Sequence, residues 1–297
     1  MIKKELLAYS LLLIQPIFMA SNLIIARGGV ESAPPISLAF WRWLTVFLIL
    51  LVFNYKILKK KNLIIKEYKK LFFLGFTGCG ICGAFPFIAG QTTTVINMGI
   101  IYTSSPIFII LLSYFFFKEN MNFFKILGLI SCLIGVLIII VKGDYLALIK
   151  LKFTKGDLWM LGASIGWALY SIFLFNWKTS FNVFERFTLI SFFGALSLFP
   201  FYLIEEVYIR NTEFNLIFLL WVLFAALSPG IIAFSLYTYT QKYLGATTTG
   251  FALYLYTVYG ALYGILFFDE ILRSFHIYGV ILVFLGIYLT KYKRKNV

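Results

Sequence analysis

The chain alternates between long apolar runs and short polar stretches, and each apolar run is long enough to cross a bilayer as a helix. Lipid offers no partner for an unpaired backbone amide, so every run that spans a membrane is predicted to be helical. Because the polar stretches are mostly short, neighbouring helices are predicted to be antiparallel, with no soluble domain between them. The predicted spans are 6–26, 34–53, 70–89, 97–116, 123–141, 157–177, 184–204, 215–238, 246–267 and 275–290.

Composition agrees with this pattern. Hydrophobic residues make up 61% of the 297 positions and charged residues 13%, whereas a soluble globular protein has about half apolar and about a quarter charged residues. A water-facing surface cannot be built from this composition. Soluble enzymes, secreted disulfide scaffolds and disordered proteins are therefore excluded, and the chain is predicted to be an all-α membrane protein in contact with a lipid bilayer.

The formal net charge of +14 is predicted to be an orientation signal. With the N-terminus inside, most Lys and Arg residues, including the 56–70 lysine run, fall on the cytoplasmic side, as the positive-inside rule requires. We expect a multi-pass protein of the plasma (inner) membrane with both termini cytoplasmic. The weak point is the 142–155 loop, whose lysines lie on the other side. A nucleic-acid surface is the alternative explanation of the lysine run, but the topology signal accounts for it, and no nucleic-acid partner is predicted.

Metal and redox chemistry have little support in the sequence. Cys79 and Cys82 have a redox spacing, but they lie in an apolar run and are interpreted as small packing residues. His276 is the single histidine of the chain, too few for a histidine-based metal cluster. No metal, cofactor or catalytic residue is expected.

Two halves of the chain repeat each other. The segment Phe40-Trp41-Arg42-Trp43 recurs as Phe184-Glu185-Arg186-Phe187, in the second helix of each half. A constant offset of 151 residues relates Glu119, Gly128 and Gly135 to Glu270, Gly279 and Gly286. Each half holds five predicted helices, and an odd number makes the halves face opposite ways across the membrane. Such inverted repeats are typical of secondary transporters, with a substrate site near the bilayer midplane and alternating access.

The halves resemble the EamA repeat of the drug/metabolite transporter superfamily. Its features here are Ala20-Ser21-Asn22 in the first helix, Arg42 in the second, Ser104-Ser105-Pro106 in the fourth, and Glu119 before a glycine-spaced fifth helix. The resemblance implies ten helices in two repeats, at 1–145 and 152–297, around a central cavity. It also implies transport of small metabolites, often outward. One departure is Tyr256-Thr257, where related second halves often carry a Glu-Pro pair.

Ionisable residues within spans are candidates for function because they are costly in hydrocarbon. Arg42 is the clearest one: it could attract an anionic group of the substrate, or it could bond helix ends as a structural residue. We favour the structural role because Arg186 recurs at the matching place. Glu119 and Glu270 lie at helix ends, where a carboxylate can cap free backbone N–H groups. Proton coupling through a buried carboxylate therefore has little support, and facilitated diffusion or exchange is at least as well supported.

The candidate substrate-binding residues are amides, hydroxyls and aromatic rings that share helix faces, together with Arg42. Gln15 and Asn22 lie on one stripe of the first helix, and Trp167 and Ser171 lie on a similar stripe of the sixth. Aromatic rings with polar atoms are common in small-molecule sites. The full set is Gln15, Asn22, Arg42, Gln91, Tyr102, Trp167, Ser171, Tyr237, Tyr256 and Tyr259.

The leading hypothesis is a secondary carrier of a small organic metabolite, such as an amino acid or a related compound. A membrane enzyme acting on lipid substrates is an alternative, but it needs intramembrane carboxylate or histidine clusters. The other alternative is a non-transporting scaffold or receptor, which predicts two halves packed without a polar cavity. The sequence leaves the substrate, the direction, the coupling ion and a homodimer open.

Overall fold

The computed structural model describes residues 2–118, 123–140, 154–249 and 252–291, and these residues form a bundle of helices without a strand among them. In the first half, α1 is Ile2–Ile24, continued by Ile25–Gly29 and Val30–Ser32; α2 is Pro35–Phe53; α3 is Lys61–Gly75, continued by Phe76–Ile81 and Cys82–Gly90; α4 is Val95–Tyr102 and Ser105–Phe117; and α5 is Phe123–Ile140. In the second half, α6 is Lys155–Asn176; α7 is Val183–Tyr208; α8 is Leu216–Ala225, continued by Ala226–Ile232 and Ala233–Thr249; α9 is Ala252–Phe268; and α10 is Ser274–Lys291.

The membrane character of these helices is confirmed. Seven of them, α1 to α4 and α6 to α8, are long and apolar enough to cross a membrane. The apolar parts of α5, α9 and α10 are shorter, at Ile126–Gly135, Leu255–Phe268 and Ser274–Gly286. Side-chain caps fix several helix starts: Thr94, Thr154 and Asn215 each accept from a backbone N–H three residues later. Asn182 and Glu185 form a reciprocal capping box at the start of α7.

Three helices contain a π-helical turn, which the apolar pattern does not predict. The turns are Ile25–Gly29 in α1, Phe76–Ile81 in α3 and Ala226–Ile232 in α8. Proline lies within the turn of α8, at Pro229, and shortly after the turn of α3, at Pro86. Such turns release backbone groups from the regular ladder and are often found at functional sites. A second difference is that α3 begins at Lys61, so much of the lysine run is helical.

Helix pairing is unchanged when the two halves are exchanged. α1 packs on α8 and α9 of the second half, and α6 packs on α3 and α4 of the first. α2 packs on its counterpart α7, and α5 packs on its counterpart α10. In the last pair the Ser131 hydroxyl donates to the carbonyl oxygen of Leu282, 151 residues away, over 2.8 Å. The glycines of these two helices, Gly128, Gly135, Gly279 and Gly286, are buried.

Helix ends meet in two separate sets. At the first, called here the lysine-rich end, Lys60 Nζ lies 2.6 Å from Glu185 Oε1 and Glu67 accepts from the Thr179 hydroxyl. At the second, the opposite end, contacts join the starts of α2, α4 and α6 to the ends of α7, α9 and α3. These contacts are Ser37 N to Glu205 at 2.6 Å, Val95 N to Glu270 at 2.7 Å and Thr93 Oγ1 to Asp157 at 2.5 Å.

Candidate functional site

A small cavity lies between the two halves, and five of the candidate residues line it together: Asn22, Arg42, Tyr102, Trp167 and Tyr256. The remaining lining residues are Met19, Cys82, Pro86, Pro229 and Phe234. Helices α1 to α4 supply one part of the wall and α6, α8 and α9 the other. The free space is about 20 Å³, room for roughly one water molecule. The cavity is therefore too small for an organic molecule in this conformation.

Arg42 is the charged residue of this lining, and 2% of its surface is exposed. Its Nη1 donates to Asn22 Oδ1 over 2.6 Å. The guanidinium carbon lies 4.6 Å from the ring centre of Trp43 and 5.8 Å from that of Phe87, within cation–π range. Nε has no hydrogen-bond partner among the described residues. Arg42 is thus held by one amide and two aromatic rings, with part of its donor capacity unused.

Arg42 and Arg186 have different surroundings, although they recur in the sequence. Arg186 Nη1 donates to the Leu174 carbonyl over 2.8 Å, and Nη2 donates to that of Trp177 over 3.2 Å. Arg186 thus closes the end of α6 as a structural residue. It is the fourth residue of α7, whereas Arg42 is deep in α2 and bonds no backbone carbonyl among the described residues. The repeat therefore does not place the two side chains in one environment, and the structural role expected for Arg42 stays a prediction.

Aromatic rings form the part of the cavity wall contributed by α4, α6, α8 and α9. The Tyr102 and Tyr256 ring centres are 5.1 Å apart, and the Tyr102 and Trp167 ring centres are 6.1 Å apart. Trp167 meets Phe234 edge to face at 5.5 Å. These geometries are typical of favourable aromatic pairs. The wall therefore offers flat apolar surfaces that face the same space as the guanidinium.

A polar layer separates this cavity from the lysine-rich end. Tyr237 meets Trp167 edge to face at 4.8 Å, and its hydroxyl lies 2.8 Å from that of Ser171. Gln241 Nε2 donates to the same Ser171 hydroxyl over 3.1 Å. All three polar residues are buried. The sequence patterns placed Ser171 and Tyr237 on separate helical stripes, and the structure joins them through hydrogen bonds between α6 and α8.

Beyond the polar layer lies a larger space, called here the vestibule. Its volume is about 350 Å³, and Gln241 lines it, so one residue belongs to both the layer and the vestibule. Arg186 and Lys242 contribute positive charge to its wall. The other lining residues are Leu174, Phe175, Thr179, Phe181, Asn182, Val183 and Thr238. The cavity is therefore one layer of hydrogen-bonded side chains away from a wide positive space.

Towards the opposite end the helices pack backbone against backbone. A Cβ placed on Gly90 of α3 would lie 1.6 Å from the carbonyl oxygen of Ala26 in α1. One on Gly156 of α6 would lie 2.4 Å from the carbonyl oxygen of Ala89. The Arg27 side chain adds a bond of 2.9 Å to the Gly90 carbonyl. These contacts, called the glycine closure below, leave no room for a side chain between α1, α3 and α6 at the two glycines.

Three candidate residues lie outside both the lining and the polar layer. Gln15 is buried next to it, and its Nε2 contacts the Met19 sulfur at 3.1 Å. Gln91 is exposed in the turn after α3, and Tyr259 is half-buried on α9. The candidate set missed Phe234, Pro229, Pro86 and Cys82 as lining residues. The proline-glycine pair within the apolar run of α8 is a signal that could have pointed to Pro229.

Glu270 does cap a helix, but not the one that follows it. Its carboxylate accepts from the backbone N–H groups of Val95 at 2.7 Å and Ile96 at 2.8 Å, so it caps α4 of the other half. Burial raises the pKa of the Glu270 carboxyl above its ordinary value, and these backbone bonds and Arg27 offset the rise only in part. Glu119, predicted to be its counterpart, lies outside the described residues.

The cysteines do not form a redox pair in this structure. Cys79 and Cys82 are free thiols and both are buried. Cys79 packs against Gly194 of α7. A Cβ added to Gly194 would lie 2.3 Å from the Cβ of Cys79. The Cys82 sulfur lies 3.4 Å from the Ala163 carbonyl and also lines the cavity. Within the described residues, His, Cys, Asp and Glu form no group of three that could hold a metal ion.

Comparison with known proteins identifies the family. The sequence profile of the EamA-like transporter family matches residues 6–141 and again residues 154–292, which covers most of the chain as two repeats. The chain belongs to the EamA-like transporter family. The double match agrees with the glycine and arginine repeats of the sequence and with the symmetric helix pairing.

Relatives of this EamA-like transporter carry transporter names. "Uncharacterized transporter YyaM" of Bacillus subtilis is 26% identical over 291 residues, which cover 96% of this chain and 93% of the relative. An "Uncharacterized transporter" of Archaeoglobus fulgidus is 26% identical over 287 residues, 96% of this chain and 97% of the relative. "Uncharacterized transporter YdfC" of Bacillus subtilis is 27% identical over 273 residues, 90% and 85% of the two chains. The names agree with a membrane transporter.

A solved structure shares the fold. It is described as "Crystal structure of protein", superposes with a TM-score of 0.63 and covers 95% of this EamA-like transporter and 95% of its own chain. Its sequence identity is 17%, so the likeness concerns the fold alone.

Proposed function

We propose that the chain is a secondary carrier that moves a small organic metabolite across the membrane by alternating access. The observation that carries the proposal is the cavity between the two halves, where the guanidinium of Arg42 and the rings of Tyr102, Trp167 and Tyr256 face one space. One charged group within aromatic walls is the usual arrangement of a small-molecule site. Amino acids and related compounds have the size and amphipathic character that such a wall would accept, and export is the direction we propose.

We further propose ten membrane spans arranged as two inverted repeats, 1–145 and 152–297. The symmetric helix pairing and the double family match support the two repeats. The contact between Thr93, after α3, and Asp157, at the start of α6, supports an odd number of crossings in the first half. If that half crossed an even number of times, α6 would start at the lysine-rich end. The same contact supports the predicted side of the 142–155 loop, which lies outside the described residues apart from its last two positions.

Alternating access is supported by the difference between the two sides of the cavity. Towards the lysine-rich end, the hydrogen bonds of Ser171, Tyr237 and Gln241 separate the cavity from the vestibule. Towards the opposite end, Gly90 and Ala26 are in backbone contact. Side-chain hydrogen bonds of this kind exchange more readily than packed backbones part. We infer a closed state that lies nearer to opening at the lysine-rich end, which we assign to the cytoplasm by the positive-inside rule.

The alternative functions have less support. A lipid enzyme would need carboxylates or histidines around a reaction centre, and the cavity lining contains neither. A scaffold or receptor with halves packed dry does not explain a buried arginine facing polar and aromatic side chains. We therefore propose a non-enzymatic carrier in the plasma membrane, with a small-molecule substrate as its partner.

A thermal-shift screen of the purified full-length protein against a broad metabolite panel tests the binding site, because a ligand stabilises the state that it binds. A genuine ligand is expected to raise the melting temperature of the wild type and to lose this effect in Trp167→Ala and Tyr256→Ala. A variant of the half-buried Tyr259, Tyr259→Phe, serves as the matched control because Tyr259 lies outside the lining. Shifts retained in both cavity variants would remove this cavity as the binding site.

A further inference from the structure

The charge of Arg42 has no counter-charge in the part of the chain that the structure describes. No carboxylate of the described residues forms an ion pair with it, and its one side-chain hydrogen bond goes to the neutral amide of Asn22. The ionisable groups around it are two thiols and two phenols, those of Cys79, Cys82, Tyr102 and Tyr256, which are neutral near pH 7 by their ordinary chemistry. A buried charge without a partner is costly in proteins, so such charges are normally paired.

Arg42 lies beside the cavity and does not use all of its donors. Arg42 lines the space, and its Nε has no partner among the described residues. Arg186 shows how this chain holds a structural arginine: its two Nη groups donate to the Leu174 and Trp177 carbonyls, although its Nε, like that of Arg42, has no partner among the described residues. Arg42 lacks such carbonyls. We propose that the missing partner is a single carboxylate of the transported compound, whose remaining part is apolar or aromatic; this inference rests on the proposed carrier function.

The charge of the lining selects a carboxylate over a phosphate. Arg42 is the charged residue among those that line the cavity, so one negative charge neutralises the site and a phosphate dianion would leave one charge unbalanced. A carboxylate also matches the guanidinium fork, with two parallel N–H···O bonds. The Tyr102, Trp167 and Tyr256 rings then accept the apolar body of the compound.

The positive charges around the vestibule also favour an anionic substrate. Arg186 and Lys242 line the wide space beyond the polar layer. Two positive groups at a mouth raise the local concentration of anions there. An organic anion would therefore meet favourable potential in the vestibule before it reaches Arg42 through the layer of Ser171, Tyr237 and Gln241.

The first test needs no variant. Thermal shifts of the wild-type protein are measured with four probes of matched shape: 3-phenylpropionate, its amide, 3-phenylpropylamine and phenyl phosphate. The expected result is stabilisation by the carboxylate, with an affinity at least about 10-fold higher than that of the amide, because charge-assisted hydrogen bonds are worth more than neutral ones. The amide or the amine binding as tightly as the carboxylate would overturn the inference, and so would tighter binding of phenyl phosphate.

The second test gives Arg42 a carboxylate partner from the protein itself. In Asn22→Asp the new carboxylate occupies the place of the amide oxygen that already accepts from Arg42 over 2.6 Å. The substitution is nearly isosteric and supplies the missing counter-charge, so the fold is expected to persist. Carboxylate affinity is expected to fall at least about 10-fold. The matched control is Arg273→Gln, because the Arg273 side chain is exposed at the opposite end. Affinity within twofold of wild type in Asn22→Asp would refute the role of Arg42.

Failure of this inference and failure of the carrier proposal give different results. If neutral or cationic probes bind to the wild type and their binding is lost in Trp167→Ala, the cavity is a binding site and only the carboxylate assignment is wrong. If no compound of any charge stabilises the folded wild type, the proposed binding function itself is contradicted and the inference falls with it.

Discussion

The glycine closure yields the sharpest structural prediction, which concerns Gly90→Ala. An added Cβ would lie 1.6 Å from the Ala26 carbonyl oxygen and 2.4 Å from its carbon, and both are backbone atoms that cannot rotate away. To restore an ordinary contact of at least 3.4 Å, α1 and α3 must part by about 1.8 Å at the opposite end. Overpacking of this kind typically costs about 1–3 kcal/mol. We therefore expect a lower melting temperature and a closure that opens more often.

The matched control is Gly99→Ala. Gly99 lies in α4, and a Cβ there would meet its nearest neighbour, Leu23 Cδ1, at an ordinary 3.5 Å. Replacing a helical glycine by alanine without a clash removes backbone entropy from the unfolded chain and is worth about 0.4–1 kcal/mol of stability. The two substitutions are chemically identical, but we predict that Gly90→Ala lowers the stability of the protein and Gly99→Ala raises it, because only the Cβ at position 90 meets a backbone oxygen.

Accessibility of the cavity reports on the closure directly. Cys82 lines the cavity, so Cys79→Ala and Cys132→Ala leave it as the reporter thiol. A membrane-impermeant maleimide added from the side opposite the cytoplasm is expected to label Cys82 at least about 5-fold faster in Gly90→Ala, since 1 kcal/mol corresponds to about that factor in population. If Gly90→Ala matches Gly99→Ala in melting temperature and in labelling rate, the glycine closure does not seal the cavity.

Two further predictions concern the polar layer and the α4 cap. Tyr237→Phe removes the hydroxyl that lies 2.8 Å from Ser171 Oγ, which is worth about 1 kcal/mol, so labelling of Cys82 from the cytoplasmic side is expected to rise. Thr238→Val is the control, because the Thr238 hydroxyl bonds the Phe234 carbonyl of its own helix, and equal rates in the two variants would argue against the layer as a barrier. Glu270 has a pKa raised by burial, so its charged form is disfavoured in the folded protein and this cost disappears as pH falls through the raised pKa. The melting temperature of the wild type is therefore expected to rise relative to Glu270→Gln between pH 7 and pH 5, and a difference that is constant with pH would contradict the burial argument.

The helices could be predicted from sequence because their cause is local. A run of apolar residues in lipid has few options besides a helix, and the starts of α2, α6 and α7 lie within two residues of the predicted spans. The π-helical turns were not predicted, since the same apolar pattern fits a regular helix. Two of them lie at or near a proline, Pro229 in α8 and Pro86 in α3, whereas the turn Ile25–Gly29 in α1 contains none.

The site was predictable in part for the same reason. Helical stripes indicated Asn22 and Trp167, and intramembrane cost indicated Arg42. Which stripes face each other depends on the packing of one half on the other, so the bond between Gln241 and Ser171 could not be foreseen. Gln91 shows the reverse: a polar residue at the end of a span belongs as readily to a solvent-exposed turn as to a cavity.

Flux through the purified protein tests the central claim most directly. The full-length chain is reconstituted into liposomes, and counterflow of labelled organic carboxylates, amino acids, amides and amines is measured beside empty liposomes and the Trp167→Ala variant. The account predicts saturable flux of at least one compound by the wild type, strongly reduced in the variant. Absence of flux for the whole panel, from protein shown to be folded in the same liposomes, would contradict it.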